Sequence, residues 1–159
     1  EEINITNKSI QVDLNLENNF GPKEIKNNID SKPEFVWMTA ESIGDNDPAL
    51  NYYSNLPAIF IFDKPLLNYL QLSTKRIIFL LDCLKELASK KSIEVHLDNP
   101  IEYLKDKNFA STFAPVPKYK KITQINIPTT EFPSIRLVKP INFYPSSYSS
   151  WKKRIELNT

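Results

Sequence analysis

The sequence predicts an α/β domain: a Rossmann-like, three-layer arrangement with a parallel sheet of about five strands and helices on both faces, followed by an extended Pro-rich C-terminal tail. Three observations carry this. Four short apolar runs, at 35–38, 58–62, 93–97 and 109–113, are spaced as strands. Helical patterns separate them, which is the alternation of a parallel sheet. After residue 113 the pattern breaks, and six of the 12 prolines fall at 115, 117, 128, 133, 140 and 145.

The elements follow in order. Residues 1–34 form an Asn-rich N-terminal extension in which Ile10, Val12, Leu14 and Leu16 alternate with Gln11, Asp13 and Asn15, the period of a half-buried edge strand. Gly21-Pro22 ends it, and a short, weak helix is expected within 23–30. Phe35-Val36-Trp37-Met38 opens the core as a buried strand. Asp47-Pro48 pairs an N-cap with a proline at the first helical position, so Ala49–Tyr53 is a short helix. Ala58–Phe62 is apolar on both faces, as a central parallel strand is, and Asp63-Lys64-Pro65 closes it. Ser73 caps an amphipathic helix of about 17 residues whose face is Ile77, Ile78, Leu80, Leu81, Leu84 and Leu87. Ile93–Leu97 is the third strand, Asn99-Pro100 starts another short helix, and Phe109–Phe113 is the fourth strand. This core spans 35–113. In the tail, 114–159, Ile122, Ile125 and Ile127 suggest one further strand and Ile135–Val138 another, with the rest extended because Pro blocks helix.

Composition excludes much chemistry. One Cys (Cys83) excludes a disulfide framework and cysteine-cluster metal sites, and one His (His96) excludes a multi-His metal site. Two glycines (Gly21, Gly44) leave no GxGxxG or Walker A loop. No metal site is expected. No apolar run approaches the roughly 18–20 residues of a membrane span. Glu1-Glu2-Ile3-Asn4 has no signal-peptide character, and the single Cys fits a reducing cytoplasm, the expected location. The net charge of +1 conceals an asymmetry. The tail's eight basic residues and two acids give +6, leaving −5 for residues 1–113.

Ligands of open parallel sheets bind outside the carboxyl ends of the strands. Trp37, Thr39 and Glu41 at the end of the first core strand, Asp63 at the end of the second and His96 near the end of the third form one candidate rim. If a ligand binds there, Trp37 stacks on it and the polar groups orient it. Glu41, Asp45 and Asp47 match no calcium loop and are read as solvated acids around a capped helix start. Cys83 belongs to the apolar helix face, where a thiol is inert. Lys118, Lys120, Lys121, Lys152, Lys153 and Arg154 interleave with Tyr119, Phe132, Tyr148 and Trp151, a pattern that also holds single-stranded nucleic acid.

The centre resembles the N-terminal α/β domain of the DNA photolyase/cryptochrome family. That family opens with Trp-Phe-Arg-Arg-Asp-Leu-Arg-x-x-Asp-Asn-Pro-Ala-Leu. Here, without a gap, Trp37 and Pro48-Ala49-Leu50 match, Glu41 replaces the aspartate, and Asn46-Asp47 reverses the Asp-Asn. Pro57–Pro65 corresponds to the family's Pro-apolar strand ending in Asp and Pro, Arg76 and Phe79-Leu80 to the following helix, and Val95–Pro100 to the next strand and turn without its Gly. Phe143–Lys152 echoes the segment that enters the flavin-binding helical domain. Thr39, Ala40 and Ile43 stand where the family has arginines, and Ala114-Pro115-Val116-Pro117 stands in place of its folate-holding Asn-x-x-Tyr-Glu.

The resemblance implies a structural or antenna-chromophore-binding module, with a folate or deazaflavin as the cofactor. Its partner would be a flavin-binding photolyase domain in cis or in trans, with DNA reached through that domain or through the basic tail. These 159 residues do not include the helical domain, so FAD and catalysis of repair are not expected of this chain alone. Two alternatives stand beside this. One is a nucleotide-binding domain of the universal-stress or electron-transfer-flavoprotein type; the other is a nucleic-acid accessory protein using the basic tail.

Overall fold

The computed structural model describes residues 21–70, 72–136, 138 and 147–153. In chain order its elements are β1 (Lys26–Asn27), β2 (Phe35–Met38), α1 (Pro48–Tyr52), β3 (Ala58–Asp63), α2 (Lys64–Leu70), α3 (Thr74–Ala88), β4 (Ile93–Asp98), α4 (Pro100–Tyr103), β5 (Phe109–Thr112), α5 (Pro117–Ile125), β6 (Thr130–Phe132) and α6 (Tyr148–Lys152).

The six strands form one sheet in the order β1-β6-β5-β2-β3-β4. Five are mutually parallel, with Trp37 level with Ile59 on one side and with Ser111 on the other. Neither β1 nor β6 is among the strands expected from the sequence, and β1 pairs antiparallel with β6. The chain leaves β2 toward β3 and leaves β5 toward β6, so the winding reverses between β2 and β5.

The helices take opposite faces because strand side chains alternate. Phe35, Trp37, Ile59, Ile61 and Phe109 pack with Leu104 beyond α4 and with Tyr119 and Ile122 of α5. Val36, Met38, Ala58, Phe60 and Ala110 pack with Ala49 and Leu50 of α1 and with Leu84 and Leu87 of α3. Asp-Pro and Asn-Pro starts work as expected. Asp47 accepts from the Leu50 amide at 2.8 Å and Asn99 from the Ile101 amide at 3.0 Å, each with Pro at the helix start.

Several expectations are corrected. The segment read as a strand through Ile122 and Ile125 is the helix α5, whose Pro117 occupies a first-turn position where its missing N–H is harmless. The weak helix within 23–30 is instead the short strand β1. Asp63-Lys64-Pro65 does not merely close a strand. It begins α2, with Asp63 Oδ1 accepting from the Leu66 amide at 2.9 Å. In α3 only Leu84 and Leu87 of the apolar face are buried, while Ile78 and Leu81 are exposed. Ile135 and Arg136 lie in neither helix nor strand. The strand pattern of residues 10–16 and the Phe143–Ser146 echo lie outside the described residues.

Gly21 has φ +71, and a Cβ there would strike the Phe113 ring, so this position requires glycine on two counts. No helix among the described residues is long and apolar enough to cross a membrane.

Candidate functional site

At the carboxyl ends of β2 and β3 a cleft of about 170 Å³ opens beneath α2, between the first turns of α3 and α5. Four of the five rim residues expected from sequence line it: Trp37, Thr39, Glu41 and Asp63. Strand alternation places Trp37 on the α5 face, and the two residues after β2 turn across the cleft mouth. Apolar walls come from Phe60, Phe62, Leu66, Leu67 and Leu80, and two cations, Arg76 and Lys118, complete the lining.

Trp37 forms the floor and is only 4 % exposed. One of its faces is taken by Tyr119, with ring centroids 5.6 Å apart and planes within 3°. Phe109 meets it edge-on at 5.8 Å. Thr39 is buried, and its amide donates to the Ser42 hydroxyl at 3.2 Å, which fixes the turn after β2. Glu41 stays exposed at the mouth. Asp63 bridges two elements: one oxygen caps α2, and the other sits 3.2 Å from the Lys118 ammonium. Lys118, expected as a nucleic-acid contact, thus lies in the cleft.

Behind the floor runs a buried polar chain. Tyr119 Oη donates to Glu131 Oε1 at 2.8 Å and lies 2.8 Å from the Ser111 hydroxyl. The register of β5 and β6 sets this up, because Ser111 and Glu131 are paired neighbours beneath α5. Burial, reinforced by the Glu131 charge, pushes the Tyr119 phenol far above its ordinary range, so it is a fixed neutral donor.

At the winding reversal the chain fills its own crevice. Thr112 Oγ1 accepts from the Ala49 amide at 3.2 Å, docking the start of α1 on the end of β5. Asp47 is buried rather than solvated, with Oδ2 lacking a partner among the described residues. Burial raises its pKa, and the Leu50 amide offsets this only in part. Asp45, by contrast, is exposed and pairs with Lys90 at 2.6 Å.

His96 does not join the cleft. It projects from β4 onto the α4 face, 3.1 Å from Tyr103 Oη and 3.4 Å from Glu94 Oε2. Lys120 and Lys121 lie on α5, Lys152 and Lys153 at the end of α6, and Arg154 outside the described residues. Cys83 is half-buried on α3 rather than fully buried. No group of three or more His, Cys, Asp or Glu side chains among the described residues is placed to hold a metal ion.

Arg76, Leu66 and Tyr119 went unassigned to the cleft in the sequence. For Leu66 and Tyr119 the available signal was the proline near the start of each of α2 and α5, which marks a helix start; no such signal marks Arg76 of α3.

No family model matches the chain, and neither a curated protein nor a solved structure matches it.

Proposed function

We propose that this is a ligand-binding α/β module of the photolyase/cryptochrome antenna type. It holds the fused ring of a folate- or deazaflavin-class chromophore in the cleft at the ends of β2 and β3, and it serves a flavin-binding helical domain in cis or in trans in the cytoplasm. The observation that carries this reading is the convergence of Trp37, Thr39, Glu41 and Asp63 on one apolar-walled cleft beside the winding reversal.

The dimensions favour a ring with a polar tail. A cleft of about 170 Å³ is smaller than the roughly 300–1,000 Å³ that encloses a whole drug-sized ligand, so one ring system enters and the remainder lies across the mouth. Phe60, Phe62 and the leucines of α2 supply the apolar contact, and Thr39 supplies hydrogen bonding. Lys118 and Arg76 provide cations for the carboxylates of such a tail. The described lining residues suit binding and orientation of a ligand.

The test is titration of the purified chain with a folate, a deazaflavin, ATP and AMP by calorimetry, alongside Trp37 fluorescence in a Trp151→Phe background. Folate- or deazaflavin-class binding that is lost in Leu67→Arg, a variant that fills the cleft, supports the proposal. Absence of binding by both, with no visible absorbance in protein from its native source, overturns it. Preferential binding of ATP or AMP also overturns it and assigns the nucleotide-binding alternative.

A further inference from the structure

The sheet ends on β4, which has no neighbour on its outer side among the described residues. It is the equal longest strand, with six residues, and it contains no Lys, Arg or Pro, its charged residues being Glu94 and Asp98. Val95 is 45 % exposed and Leu97 61 %. The exposure continues onto the helices that pack against β4, at Tyr69 of α2 and at Ile78 and Phe79 of α3.

The ladder fixes which backbone groups face outward. The Ala58 amide donates to the Ser92 carbonyl at 2.9 Å, and a parallel ladder alternates, so Glu94 and His96 direct their N–H and C=O toward β3. Ile93, Val95 and Leu97 therefore present theirs at the free edge. These three residues also share one face, that of Leu84 and Leu87, while Glu94 and His96 share the other.

We propose that a second copy of this chain docks on this edge, antiparallel, with Val95 on the two-fold axis, extending the sheet across both copies. In this register Val95 faces Val95 and Ile93 faces Leu97, three hydrogen-bonded pairs made wholly from the outward groups. The pairs between them set Glu94 of one copy opposite His96 of the other, twice, and Ser92 opposite Asp98. Apolar meets apolar on one face, and an acid meets its hydrogen-bonding or cationic partner on the other. The rival register centred on His96 sets Glu94 against Asp98 twice and is rejected by charge. A two-fold contact of this kind is isologous, so it closes as a dimer rather than growing into a fibre. It lies at the opposite edge of the sheet from β1.

Sedimentation of the full chain at about 100 µM, enough to saturate an association in the micromolar range, reads the oligomeric state. A dimer is expected, with at least about a tenfold loss of affinity in Val95→Lys, which sets two ammonium groups against each other on the axis. Val95 is exposed enough for the fold to survive, and a charge exchange supplies an independent arm: Glu94→Arg weakens the dimer, and Glu94→Arg with His96→Glu restores it. Register is read by cross-linking in a Cys83→Ser background. Val95→Cys forms an intermolecular disulfide, because the paired Cα atoms lie about 5.5 Å apart, within disulfide range. Leu97→Cys does not, because its own copy lies about 13 Å along the strand. A monomer throughout overturns the proposal, whether the Val95 amide exchanges freely or is shielded by the chain's own segments. So does a dimer indifferent to Val95→Lys, or a cross-link at Leu97→Cys in place of Val95→Cys.

Discussion

In β2, Phe35, Val36, Trp37 and Met38 are all buried; in β4, Glu94, Val95, Leu97 and Asp98 are exposed and no residue is fully buried. Both segments read as apolar strands, and both join the same parallel sheet. Their difference lies in what surrounds them. β2 sits between β3 and β5, with α1 and α3 on one face and α4 and α5 on the other. β4 has one neighbouring strand among the described residues. Burial is thus a property of the position in the sheet, and the sheet's stability is concentrated at its centre while its edges remain available for contact.

The largest break of this contrast comes from one truncation in each region. Phe109 of β5 has no exposed surface, stacks on Phe35 at 6.1 Å and meets Trp37 at 5.8 Å. Phe109→Ala is expected to lower stability by about 3–5 kcal/mol, through lost transfer energy and the cavity it leaves. Leu97→Ala, on a side chain that already faces water, is expected to stay within about 0.5 kcal/mol in the monomer. Urea unfolding at low protein concentration measures both. Equal losses would mean that β4 is as enclosed as the centre of the sheet.

The second prediction concerns the polar chain that crosses the centre. Tyr119→Phe keeps the stacking on Trp37 but removes the hydroxyl that joins Ser111 to Glu131, leaving the buried Ser111 oxygen and the half-buried Glu131 carboxylate short of a partner at a cost of about 1–3 kcal/mol near neutral pH. The pH dependence identifies the cause. Folding raises the Tyr119 pKa, so the folded state keeps a proton that the unfolded chain releases as the pH passes the ordinary tyrosine value of about 10. The stabilisation is complete below that value and declines above it, by up to about 1.4 kcal/mol for each pH unit. The gap between wild type and Tyr119→Phe should therefore narrow above pH about 10. Chemical denaturation at neutral and alkaline pH checks this, and a constant gap would show that the phenol is not held neutral.

Much of the centre was legible in the sequence because local signals agreed there. Ala58–Phe62 is apolar on both faces and bounded by Pro57 and Asp63, and Asp47-Pro48 and Asn99-Pro100 mark helix starts that the structure retains. The strand-end rule brought out Trp37, Thr39, Glu41 and Asp63 from the positions of two strands alone. The rest was hidden where local and tertiary information diverge. α5 carries a proline and isoleucines at 122 and 125, which read as extended chain, yet Pro117 sits where a helix tolerates it and Tyr119 and Ile122 make the three-residue step that packs. β6 is three residues, Thr-Glu-Phe, with no apolar run to announce it; only its pairing with β5 makes it a strand. His96 was placed at the rim by its distance along β4; it takes the same sheet face as Ile61 and Trp37, but it lies on the outermost strand, where its hydrogen bond to Tyr103 holds it against the end of α4 rather than in the cleft.

Asp47 sharpens the contrast at the smallest scale, because it looked like an edge residue and behaves as a central one. Sequence placed it among solvated acids, yet it is 6 % exposed, with one carboxylate oxygen capping α1 and the other without a partner among the described residues. Burial raises its pKa in the folded state, so the unfolded chain loses this proton first as pH rises. The sign is then fixed: stability is greatest below the ordinary aspartate value and falls as pH climbs through the folded value, after which the penalty is constant. Asp47→Asn keeps an oxygen to accept from Leu50 and removes the ionisation. Its melting temperature relative to wild type should rise between acidic and neutral pH. The effect is expected to be the smallest of the three, since the cap hydrogen bond is kept and α1 has only five residues. Asp45→Asn, at an exposed carboxylate paired with Lys90, serves as the control and should cost no more than an exposed ion pair contributes. If Asp47→Asn shows no such rise, Asp47 is solvated and the crevice at the winding reversal is open to water.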